Sequence, residues 1–166
     1  MLLLILLSNA WAAPTLRAGL LGEFVTHPGA FISFEPGRSD RPGLAPVVGG
    51  RLGGYVHPGH HSALFVHGEG GLRLSGSQVA ADVLVGAGLH HRWLPTRVVV
   101  RRGETVASVL DAGRPNLLGT LGLRIGDADG RVRPFGRADL AWRGPVHRGV
   151  RTELLFAIGV AIKGAS

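Results

Sequence analysis

The side chains best equipped for chemistry in this 166-residue chain are eight histidines: His27, His57, His60, His61, His67, His90, His91 and His147. Imidazole is a common ligand for zinc, nickel and copper. His57, His60 and His61 cluster around Pro58-Gly59, a turn composition, and His90-His91 close a later segment. None of these spacings is that of a structural or catalytic zinc motif. The pattern therefore reads first as a polar rim, and no metal ligand, cofactor-binding residue or catalytic residue is assigned. Nucleophilic catalysis would need a hydroxyl within reach of an oriented base. Ser62 follows His61, and Ser33 and Ser108 are further hydroxyls. Adjacent residues on a strand face opposite sides, so His61 and Ser62 would pair only in a loop. Asp127 and Asp129 have a calcium-loop flavour, but no Glu follows at the required position and the segment is short enough for a hairpin turn. The glycine-rich stretches lack the lysine of a phosphate loop.

Which of these groups can meet depends on the elements that carry them, and the dominant period is two. Val79, Ala81, Val83, Val85, Ala87, Leu89, His91 and Trp93 form one face of a segment. Ala80, Asp82, Leu84, Gly86, Gly88, His90, Arg92 and Leu94 form the other. In the last segment Thr152, Leu154, Phe156, Ile158, Val160 and Ile162 alternate with Arg151, Glu153, Leu155, Ala157, Gly159, Ala161 and Lys163. Before it, Arg131, Arg133, Phe135, Arg137, Asp139, Ala141 and Arg143 oppose Val132, Pro134, Gly136, Ala138, Leu140 and Trp142. Eight strands are expected, over 16–26, 30–35, 44–57, 62–74, 78–94, 116–126, 131–143 and 150–163. Gly, Pro and Asp punctuate the connections, and the longest of these, Pro95 to Pro115, reads as a loop.

Composition narrows what such strands can build. The chain has no Cys, so disulfide frameworks and thiolate chemistry are excluded. Gly accounts for 27 residues, hydrophobic types for 45%, and mean hydropathy is +0.24 despite a net charge of +7. That apolar surface must lie somewhere other than a compact core. Lys163 is the only lysine among 18 basic residues. The arginines are scattered through apolar segments instead of gathered on a basic helix or tail, which argues against a nucleic-acid partner. They suit a lumen lined with Arg or a surface facing anionic lipid.

Residues 2–7 form a short apolar run and Ala10-Trp11-Ala12 matches an A-x-A cleavage pattern, so residues 1–12 are expected to be a signal peptide and 13–166 the barrel domain. An exported chain of eight strands, most of them about ten residues or longer, matches the smallest membrane barrels. The fold class expected is all-β: a closed, antiparallel, up-and-down transmembrane barrel. An even strand count puts both termini on the periplasmic side and Pro95 to Pro115 outside. With the apolar phase toward lipid, Arg17, Glu23, Arg51, His67, Glu69, Arg73, Asp82, Arg124, Arg137, Asp139, Arg151 and Glu153 point inward. Ion pairs such as Glu69 with Arg73 or Arg124 would plug a lumen this narrow. Gly86, Gly88 and Gly159 would leave room for long arginines. Trp93 and Trp142 point outward near the outer strand ends, where an interfacial aromatic belt belongs.

The stretch from Gly54 to Phe65, Gly-Tyr-Val-His-Pro-Gly-His-His-Ser-Ala-Leu-Phe, continued by Glu69 to Arg73, resembles a pattern in uncharacterised bacterial outer-membrane β-barrel proteins. Gly86-Ala87-Gly88-Leu89-His90-His91 is similar to the following strand of such proteins, and in architecture the chain resembles the eight-stranded outer-membrane protein A and X type. The resemblance implies outer-membrane location, outer-membrane lipids and lipopolysaccharide as surroundings, and the barrel-assembly machinery as a partner in biogenesis. It brings no catalytic residue and no cofactor. The expectation is a monomeric, non-enzymatic barrel with a structural, adhesive or surface-interaction role. Two alternatives stand beside it: a lipid-modifying barrel enzyme of the lipid A deacylase kind, and an exported soluble barrel of lipocalin type with its apolar face turned inward.

Overall fold

The computed structural model describes residues 13–22, 28–37, 42–57, 61–101, 104–144 and 149–164. Period-two alternation gives eight strands: β1 (Thr15–Gly22), β2 (Gly29–Glu35), β3 (Gly43–His57), β4 (His61–Ser75), β5 (Val79–Arg101), β6 (Glu104–Asp127), β7 (Val132–Gly144) and β8 (Arg151–Lys163). Each pairs antiparallel with the next, and β8 closes on β1 through Thr15↔Lys163 to Gly22↔Phe156. Closure leaves no unpaired sheet edge around the wall. The expected Glu23 lies outside the described residues, as do His27, His60 and His147.

The faces are inverted relative to a water-soluble protein. Leu20 is 65% exposed, Leu72 53%, Val85 60% and Ile158 68%, and the same outward phase carries large apolar side chains on every strand. The inward phase buries Arg17, Glu35, Arg51, Glu69, Arg73, Asp82, Arg124, Arg133, Arg137, Asp139 and Arg143. A lipocalin-like barrel needs the opposite arrangement.

At the end bearing both termini the β4–β5 and β6–β7 connections are short. Gly76 N–H donates to the Val79 carbonyl at 2.9 Å. In the next turn Gly130 sits at φ 92° while its N–H donates to Asp129 Oδ1 at 2.7 Å, a backbone state that favours glycine. The other end differs from expectation. The segment Pro95 to Pro115, read as a loop, is a two-stranded ribbon: Arg97 pairs with Val109, Val98 with Ser108 and Arg101 with Glu104, with register shifts at its base. The β4–β5 ladder stops at Ser62↔Trp93 and the β6–β7 ladder at Leu117↔Gly144, so the ribbon projects past its neighbours. The prolines are compatible with pairing because the ribbon's outer edges have no partner strand among the described residues, so a missing N–H there breaks no ladder. Val98, Val99 and Val100 supply the β-branched content that keeps the ribbon extended.

The glycines expected to make room for arginine mostly do something else. A methyl group at Gly88 would overlap the Val66 carbonyl oxygen and the His67 backbone, and one at Gly159 the Ala18 carbonyl. These positions let adjacent strands approach closely. The glycine that accommodates charge is Gly122, beside Asp139 and the Arg137 guanidinium. Gly88→Ala is expected to cost about 1–3 kcal/mol, the usual range for overpacking. Gly68→Ala, at an open position, is expected to be neutral. Urea unfolding in lipid vesicles checks both, and equal midpoints would reject the close-approach reading.

Candidate functional site

Among the described residues the lumen concentrates the polar chemistry, and its contents follow from strand phase. Near the terminal end Glu35, last residue of β2, accepts from Arg73 Nη1 at 2.7 Å and Arg124 Nη2 at 3.2 Å, and pairs with Arg17 at 2.8 Å. Asp82 accepts from Arg73 Nε at 2.7 Å and Arg124 Nε at 2.5 Å. A second knot lies further along. Arg51 Nη1 donates to Asp139 Oδ2 at 2.6 Å, Arg137 Nε donates to Asp139 Oδ1 at 2.8 Å, and Arg137 pairs with Glu69 at 2.7 Å. The Arg51 guanidinium also lies 4.1 Å from the centre of the Phe31 ring, which itself meets Phe135 edge-on. A small cavity of about 20 Å³, lined by Arg17, Arg73, Asp82 and Arg124 among others, remains at the terminal end, enough for a water molecule.

At the ribbon end the chemistry changes. Arg143 Nη1 donates to the Tyr55 hydroxyl at 2.6 Å and lies 3.1 Å from His90 Nε2, which is also 3.1 Å from that hydroxyl. Arg143 pairs in addition with Glu153. Above them His57 and His61 face each other across the β3–β4 hairpin, ring centres 5.4 Å apart, and His61 meets the Tyr55 ring at 5.9 Å.

The sequence-predicted inward set is therefore largely brought together. Arg17, Arg51, His67, Glu69, Arg73, Asp82, Arg124, Arg137 and Asp139 are all buried in the lumen, and Glu153 is partly buried against Arg143. Arg151 is exposed at the rim. Of the two pairs expected for Glu69, the one with Arg124 is present at 3.8 Å, beside a shorter contact with Arg137, whereas Arg73 goes instead to Glu35 and Asp82. Sequence reasoning missed Glu35, Arg133, Arg143 and Tyr55 as lumen residues. It also put His90 on the rim, whereas His90 is 2% exposed inside. Alternation had already put His90 on the face of Asp82, and Arg133 and Arg143 on the face of Arg137, but the inward set did not carry them. Trp93 and Trp142 take the outward phase, partly exposed, with the His91 ring 4.5 Å from Trp93.

The question of a nucleophile gains one detail. Ser62 is exposed on the outward face of β4, and His61 takes the lumen phase, so these neighbours do face opposite sides. His60, however, stands two residues before Ser62, the spacing that puts two residues on one face of an extended chain. The sequence reading took a His-x-Ser spacing to be absent, which His60-His61-Ser62 corrects, and His60 itself is outside the described residues. Among the described residues with placed side chains, no carboxylate shares the outward face beside Ser62: its ladder partners are Val56 and Trp93.

Comparison with known proteins agrees on the fold. The chain is similar to the N-terminal β-barrel domain of Pseudomonas aeruginosa OprF, at 14% identity over 91% of this chain and 96% of that one, with a TM-score of 0.53. It also aligns with the Yersinia pestis outer membrane protein Ail, at 9% identity over 92% and 99% of the two chains with a TM-score of 0.49. The outer membrane enzyme PagL aligns at 11% identity over 93% and 100%, with a TM-score of 0.46. The first match carries the fold: a closed eight-stranded barrel of the outer-membrane kind. No family model and no curated protein matches the sequence.

Proposed function

We propose that this chain is a monomeric outer-membrane barrel, delivered by a signal peptide over residues 1–12, that presents a rigid extracellular ribbon and acts by surface contact without conduction or catalysis. The observation that supports the reading best is the pairing of an apolar exterior with a lumen crossed by ion pairs. Only a lipid surround makes exposed Leu, Val and Ile favourable on every strand. Outer-membrane lipids and lipopolysaccharide are then its environment, the barrel-assembly machinery its route into the membrane, and nucleic acid no part of its role. Arg92, Arg97, Arg101, Arg102 and Arg114 against Glu104 and Asp111 give the ribbon and its base a positive balance suited to anionic surface groups.

Three measurements test this. Cell fractionation should place the protein in the outer membrane and require detergent for extraction. A tag inserted beside Thr105 should be labelled on intact cells. Release as a soluble protein, or labelling only after permeabilisation, would overturn location or topology. In planar bilayers the purified barrel should show no steady conductance, because Glu35, Asp82 and their arginines close the lumen; a stable open channel would defeat the plugged-lumen reading.

A second reading, a lipid-modifying hydrolase, is favoured by the exposed Ser62 and its spacing from His60. It lacks an acid to orient the base among the described residues around Ser62. Lipid A deacylation by the wild type that is lost in Ser62→Ala would establish it over the leading reading.

A further inference from the structure

We propose that His57 and His61 form a chelate for a divalent transition cation, zinc above all, at the ribbon-end mouth of the lumen. The two residues are direct partners in the β3–β4 ladder and close the hairpin between them. Both take the inward phase, continuing the buried positions Tyr55 and Ala63, yet both are only partly buried, so an ion from water can reach them. Their ring centres stand 5.4 Å apart with planes inclined by 40°.

Zinc–imidazole bonds of about 2.0–2.1 Å put each ring centre about 3.2 Å from the metal. At a tetrahedral angle, two such rings stand about 5.2 Å apart. The observed separation is close to that value without movement of the backbone. Among the described residues no set of three ligands assembles, so water completes the coordination. A ladder pair is well suited to such a site because the sheet has already fixed both backbones, and little ordering remains when the ion binds. The Tyr55 ring beneath His61 gives the site a floor, and the Tyr55 hydroxyl links it to His90 and Arg143. Bound zinc would clip the hairpin at the point where the barrel meets the outside.

The test uses the tag-free folded barrel in detergent micelles, titrated calorimetrically with zinc chloride. Cobalt chloride is added in parallel to report coordination by its visible spectrum. Wild type is expected to bind one equivalent saturably and to give the intense bands of tetrahedral cobalt. His57→Gln and His61→Gln should each lose both signals while keeping the heat-dependent gel mobility of a closed barrel. His91→Gln, on the outward face, should retain both. Absence of saturable binding by the wild type, or retention of both signals in the two variants, would overturn the proposal.

Discussion

Ile158→Arg is expected to destabilise the folded barrel in lipid by about 2–4 kcal/mol, the depth-dependent cost of a cation on the lipid face near the midplane. Ile158 is 68% exposed in the middle of β8, and Val85, 60% exposed, occupies the corresponding part of β5. Val85→Arg should behave alike. Val132→Arg, on the same outward phase but at the first residue of β7, should cost about 0–1 kcal/mol, because a charge near the interface reaches water. Equilibrium unfolding in vesicles of defined thickness reads all three. Equal, negligible costs would mean that these faces meet water, and the soluble alternative would return. The gradient with depth distinguishes lipid exposure from a general penalty for replacing a β-branched residue.

A loss of similar size is expected on the other side of the wall. Glu35 is 2% exposed and meets Arg17, Arg73 and Arg124. Glu35→Ala leaves the Arg17, Arg73 and Arg124 guanidinium groups with Asp82 and, at 3.8 Å from Arg124, Glu69 as the remaining carboxylates. Removing one partner of a buried ion pair typically costs about 3–5 kcal/mol because the remaining charge stays uncompensated. The double variant Glu35→Ala/Arg17→Met should recover part of that loss, since it removes a cation together with the anion. Unfolding midpoints in the same vesicles measure both. A single-variant cost below about 1 kcal/mol would show that water in the lumen screens these groups as it does at a surface.

The wall of this molecule was legible in its sequence, whereas the wiring of its lumen was only partly so. Alternation along Val79–Trp93 and Thr152–Ile162 assigns those strands their faces because a strand's side chains alternate by geometry alone. Turn residues such as Asp127 to Gly130 mark strand ends for equally local reasons. Glu35 escaped notice because β2 is short and its inward phase mixes Phe31 with Ser33 and a single charge at the strand's last residue, so the run shows no charged face. The choice of Glu35 over Glu69 as the partner of Arg73 is a different kind of fact. It depends on strand tilt and stagger, which decide which residues reach the same height in the lumen. The ribbon was misread because Pro95 and Pro115 are breakers in a wall but harmless where no neighbouring strand pairs. The His57–His61 pairing needed the hairpin register, since five residues around a Pro-Gly turn admit several alignments.

In a ring of eight strands, β2 stands opposite β6 and β3 opposite β7. Glu35 and Arg124 join the first pair, while Arg51 with Asp139 and Tyr55 with Arg143 join the second. Backbone hydrogen bonds run around the circumference and act as hoops, and a hoop alone resists stretching but flattens under sideways load. Struts across the diameter resist flattening. With two orientations of strut at different heights, this barrel behaves as a braced tube whose cross-section is fixed by its own charges. Struts of two orientations oppose flattening of the wall from which the ribbon projects.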